Sequence, residues 1–101
     1  MNDRTEEHKS HLLDVTALDT YALLRLFVDI LDAQAWQHLG VRVKTGTDKT
    51  EKDLERAKVV IDCVAFLVNK LEPHVAEQER NEMRRLVADL QINFARLATE
   101  K

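Results

Sequence analysis

Few residues of this 101-residue chain are of types that do chemistry, and their spacing gathers few of them together. Cys63 is the only cysteine. A thiol attacks only as its thiolate, which needs a base or a positive charge beside it. Cys63 stands in VVIDCVAFL with no histidine near in sequence, so it is expected to act as a small buried hydrophobe among Val60, Phe66 and Leu67. A single cysteine also excludes an intramolecular disulfide, a thiolate zinc cluster and a paired-thiol redox motif. His8 and His11 have chelating spacing only if their polar segment is helical. His38 and His74 fall near helix ends, where an imidazole meets carbonyl dipoles or solvent. No Glu-x-x-His pair exists for a di-iron bundle site. With glycines only at 40 and 46, neither a P-loop nor a dinucleotide fingerprint can be written on the chain. No catalytic residue, metal ligand or cofactor is assigned, and the chain is expected not to be an enzyme.

The remaining candidates are charges and one indole. Arg42, Lys44 and Lys49 outnumber Asp48 in the one extended connection, and Arg80, Arg84 and Arg85 follow in the third helix. Together they are the set that an anion or RNA contact would use. A net charge of -3 and the scarcity of aromatic residues argue against nucleic acid, and a solvated loop is the simpler reading. Lys58 and Asp62 have the spacing of an exposed helical ion pair. Trp36, one turn beyond Asp32, is either a core edge or an interface anchor.

Three apolar segments position these residues. In Tyr21 to Leu39, YALLRLFVDILDAQAWQHL, apolar side chains spread over an arc of about 250°, leaving one charged strip in which Arg25 can pair with Asp29. Charges so closely spaced exclude a membrane span. Thr16 as N-cap, with Asp19 three residues on, starts a first helix at about Ala17, and Gly40 ends it as a left-handed C-cap on which Val41 folds back. Asp48 or Thr50 caps a second helix from about Glu51 to Leu71, stopped by Glu72-Pro73 and again apolar on all but one strip. The third helix, about Glu77 to Ala98, carries an ordinary amphipathic face of about 120°: Met83, Leu86, Val87, Leu90, Phe94 and Leu97. Ile92 stands nearly opposite that face.

Composition agrees. The chain is 45% hydrophobic and 33% charged, with two glycines and one proline, which suits one soluble domain of long helices with few turns. Residues 1–13 are expected to be a polar, disordered N-terminal segment without the apolar core of a signal peptide, and 14–101 a single all-α domain in a reducing cytoplasm. The expected fold is a three-helix unit, a helical hairpin packed on a central hydrophobic first helix.

Several short motifs occur in order along the chain: Asp14-Val15, Ala35-Trp36 with Leu39-Gly40, Thr45-Gly46, Asp53-Leu54-Glu55 with Ala57-Lys58 and Ile61-Asp62, and Leu90-Gln91-Ile92-Asn93-Phe94. This series resembles the bacterial domain-of-unknown-function family 1844 from about Asp14 to Leu97. The chain departs from the family pattern where Val41-Arg42-Val43 lacks a proline and where Ala76 replaces a Ser or Thr cap. The resemblance implies a short, helical, cytoplasmic bacterial protein with no assigned activity.

Two function classes follow. The first is a non-catalytic helical module for structure or protein interaction, working as a homo-oligomer, most simply a dimeric helical bundle, with an unidentified protein as a further partner. The second is a ribosome- or RNA-associated accessory factor using the basic residues above. The oligomer follows from arcs of about 250° on two helices, more apolar surface than one three-helix unit covers. Leu23, Phe27, Ile30, Leu31 and Trp36 are the expected interface, with part of the second helix. Replacing Phe27 and Leu31 together by Asp should therefore cause aggregation or unfolding; light scattering that shows the unmodified chain as a stable 11.7 kDa monomer would overturn this reading.

Overall fold

The computed structural model describes residues 14–43 and 45–100. Three long helices run through them: α1 (Thr20–His38), α2 (Leu54–Leu71) and α3 (Glu77–Thr99), with a 3-10 turn, Glu72–His74, joining the last two. Residues 14–16 form a short helical turn ahead of α1. Among the described residues there is no strand, only an isolated bridge between Leu39 and Lys52. The chain is all-α, as its periodicity indicates. The segment 1–13 expected to be disordered, with His8 and His11, lies outside the described residues, as does Lys44.

Two helix starts differ from expectation. Asp19, not Thr16, is the N-cap of α1, and its Oδ2 accepts from the Tyr21 amide at 3.0 Å. A carboxylate there satisfies an amide that lacks an intrahelical partner and complements the helix dipole. For α2 the cap is Asp53, not Asp48 or Thr50; its Oδ1 accepts from the Arg56 amide at 3.1 Å. Asp53 is fixed by a tertiary bond, because its own amide donates to the His38 carbonyl at 2.7 Å.

That bond belongs to the corner that turns α2 back along α1. Gly40 has φ +80, the left-handed cap expected of it, and a Cβ there would sit 3.2 Å from the Lys52 Cβ. The amides of Val41 and Arg42 both return to the Trp36 carbonyl, at 3.1 and 3.2 Å. The Val41 side chain, expected to fold back, is exposed, and its amide makes the return contact instead.

The central helix is α2, not α1. Of the eleven buried hydrophobic residues among those described, six lie on α2: Ala57, Val60, Ile61, Val64, Val68 and Leu71. Helix α1 buries only Val28 and Ala35, with Leu39 just beyond it, and α3 buries Met83 and Leu90. Helix α2 packs against both neighbours, which scarcely meet each other. The wide apolar arc of α1 thus reflects exposed surface more than central packing. On α3 the expected face holds, with Leu86, Val87, Phe94 and Leu97 packed partly buried against the core, and Ile92 is 64% exposed.

Leu90 and Ile92 make a direct comparison on one helix. Leu90→Ala should cost about 2–5 kcal/mol in urea unfolding, because it leaves a cavity in the core. Ile92→Ala should stay within about 0.5 kcal/mol of the unmodified chain.

Candidate functional site

The sequence-predicted interface residues separate into two groups. Phe27 is 42% and Ile30 55% exposed, on the outer side of α1, while Leu23 and Leu31 are half-buried and Leu31 packs against the core. Trp36 lies on a different flank of α1 and is half-buried, its Nε1 donating to Asp32 Oδ1 at 3.2 Å. Of the two readings of this indole, the geometry makes it a core edge; it does not join Phe27 and Ile30.

The outer face of α2 adds residues that the sequence reading assigned to the interior. Val59 is 60% and Phe66 61% exposed. Cys63, expected to be buried, is exposed beside them. The physical reason is angular: both neighbours of α2 press on the strip of Ala57, Ile61, Val64 and Val68, which leaves the opposite strip uncovered. The Lys70 Nζ lies 5.4 Å from the Phe66 ring centroid, a cation–π contact along that strip. The antiparallel register set by Leu39 and Lys52 brings Phe27 level with Cys63 and Val64. The exposed apolar residues of α1 and α2 therefore occupy the same height on the pair.

A shallow polar groove runs between α1 and α3. Asp32, Trp36, Glu82, Arg85, Leu86 and Asp89 line about 340 Å³ of it. Arg25 pairs with Asp29 at 3.3 Å, as its spacing predicts, and its buried Nη1 has no hydrogen-bond partner among the described residues. Burial pushes the Asp32 carboxyl above the usual range, against the opposing hydrogen bond from Trp36. At the N-terminal end of α1, Tyr21 stacks on His74 with ring centroids 4.3 Å apart.

The basic residues fall at three places: the corner after α1, the groove and the turn before α3. Arg42 and Lys49 are in the corner after α1, where Arg42 lies near enough to Asp32 to act on its carboxyl; Arg85 lines the groove with Asp32 and Trp36, and Arg80 and Arg84 lie by the turn that precedes α3. Arg80 is tied down there: Nε donates to the Glu72 carbonyl and Nη2 to the Val75 carbonyl, both at 3.0 Å. Such charge-assisted bonds close the turn and contribute about 1.5–3 kcal/mol apiece. Arg84 is held by Glu72, its Nε 3.1 Å from Oε2, and the guanidinium holds that carboxyl below its usual range. The sequence reading missed both roles. The signal available was the Glu72-Pro73 stop, whose carbonyls need donors. Lys58 and Asp62 form the expected exposed pair at 3.2 Å. Among the described residues no three His, Cys, Asp or Glu side chains converge as metal ligands. Nor is any helix there long and apolar enough to cross a membrane.

Fold and surface together define a small all-α helical protein with exposed apolar residues on the outer faces of α1 and α2. The family model for Domain of unknown function (DUF1844) matches residues 21–96, and the chain belongs to that family. No curated protein and no solved structure matches the chain.

The raised Asp32 carboxyl has a definite sign. The folded state holds this proton more tightly than the unfolded chain does, so stability falls as pH rises from the ordinary aspartate value through the raised one. Asp32→Asn keeps an acceptor for Trp36 and removes the ionisation. Urea unfolding should show the variant gaining stability over the unmodified chain at pH 7 but not at pH 3. A gain that is the same at both would contradict the assignment.

Proposed function

We propose that this protein is a non-catalytic cytoplasmic interaction module that works by docking the outer side of its α1–α2 pair onto another polypeptide. The observation that carries this reading is the exposure of Phe27, Ile30, Val59 and Phe66 at 42%, 55%, 60% and 61% on helices whose other faces already form the core. Scattered single apolar residues are ordinary on a surface, but a clustered set at one height is the feature that marks protein contacts. The polar α1–α3 groove offers no comparable anchor. Its indole is engaged by Asp32, and its other lining is mainly charged. The basic residues support an RNA-associated role less well, because Arg80 and Arg84 are committed to the turn and Arg85 lines a groove beside Asp32, Glu82 and Asp89.

The test is a Val59→Ser/Phe66→Ser chain, compared with the unmodified one by circular dichroism, light scattering and capture of partners from the native host. Both positions are exposed, so helix content and melting temperature should be preserved. Any self-associated species, or any co-purifying protein, should disappear with the apolar strip. If the unmodified chain associates with nothing, or if the doubly substituted chain retains everything, the proposal fails.

A further inference from the structure

The outer strip of α2 reads, in order, Glu55, Val59, Cys63, Phe66 and Lys70, all exposed and spaced by three or four residues. Its apolar middle is closed by a negative charge at the N-terminal end and a positive charge at the C-terminal end. Turning the helix end for end about a point between Asp62 and Cys63 carries Glu55 onto the level of Lys70 and Val59 onto the level of Phe66. The strip is thus its own complement under a two-fold rotation. In a parallel arrangement the same strip would set Glu55 against Glu55 and Lys70 against Lys70.

From this we infer that the polypeptide which covers the strip is a second copy of this chain, its α2 antiparallel to the first across a two-fold axis beside Cys63. The inference rests on the interaction-module reading above and names its partner. Within one chain Glu55 and Lys70 are about 22 Å apart along the helix, too far to pair, and no ion pair of Glu55 occurs among the described residues. Between copies they meet at both ends of the contact, while Val59 packs on the partner's Phe66 in the middle. The other charges near the strip are already balanced. Arg56 is held by Asp53 at 3.2 Å at the Glu55 end, and Asp62 by Lys58 at 3.2 Å near the axis. Lys70 covers the edge of Phe66 in the free chain, so its ammonium already lies over the surface that the partner's Glu55 approaches. An isologous pairing of this kind buries the strip on both subunits at once.

Charge exchange tests the register. Glu55→Lys alone and Lys70→Glu alone each place like charges opposite one another at both ends, and each should weaken the dimer about tenfold or more, read by analytical ultracentrifugation. Mixing the two variants in equal amounts should restore a dimer, now a heterodimer, because every facing pair becomes opposite in sign again. The doubly exchanged Glu55→Lys/Lys70→Glu chain should dimerise with itself. A short bis-maleimide should link Cys63 to Cys63 in the unmodified dimer and fail to do so in the single variants at the same concentration. Circular dichroism of each variant controls for folding, and the doubly exchanged chain keeps the test decisive if a single variant unfolds. A dimer indifferent to all three exchanges overturns the register and leaves the interaction-module reading standing. A monomer that captures a different protein through Val59 and Phe66 overturns the second copy alone. A chain that does neither overturns both.

Discussion

Burial of one strip of α2 against two helices at once is the constraint on which the rest of this fold depends. Ala57, Ile61, Val64 and Val68 are all but inaccessible to solvent, and the small side chains of Ala57 and Ala35 let the backbones of α1 and α2 approach closely. Because α1 and α3 scarcely touch, neither can hold the other in place when α2 is disturbed. The corner between α1 and α2 then sets the register. With the Asp53 amide bonded to the His38 carbonyl and Gly40 pressed against Lys52, the two helices have little freedom to slide. Everything on their outer faces inherits its height from that corner, including the common level of Phe27 and Cys63.

What could be read from the sequence was local. The left-handed Gly40, the ion pairs Arg25–Asp29 and Lys58–Asp62, the amphipathic face of α3 and the exposed Ile92 each depend on a few residues of one helix, and each is where its spacing puts it. Periodicity gives the angular spread of apolar residues on a helix. It does not say which part of an arc a neighbour covers, which is why periodicity alone points to a central α1 and a buried Cys63 where the structure has neither. Both errors have one source, since coverage is a property of tertiary packing.

The helix starts and the two arginines were illegible for a related reason. Asp48, Thr50 and Asp53 are all competent caps by residue type. Asp53 prevails because a bond to His38, fifteen residues earlier in the chain, fixes it in place. Arg80 and Arg84 look like free cations in the sequence. Carbonyls eight and five residues back engage the first, and a carboxylate twelve residues back engages the second. A turn closed by a proline leaves acceptors that need long donors, and that need appears only once the turn is built.

The uncovered apolar side is easier to understand beside the polar one. Between α1 and α3 the surface is made of Asp32, Glu82, Arg85 and Asp89, groups that water satisfies at no cost in exposed apolar area. On the outer side of α1 and α2 the same fold sets phenyl, branched aliphatic and thiol groups into solvent, although nothing in the packing of the core requires them there. Polar residues at Val59 and Phe66 would leave the buried strip of α2 untouched, because the two strips lie on opposite sides of the helix. That apolar face, which the core does not use and which charges bound at both ends, is the feature on which the proposed docking rests. Helix α3, with Ile92 alone among polar neighbours, has no such face.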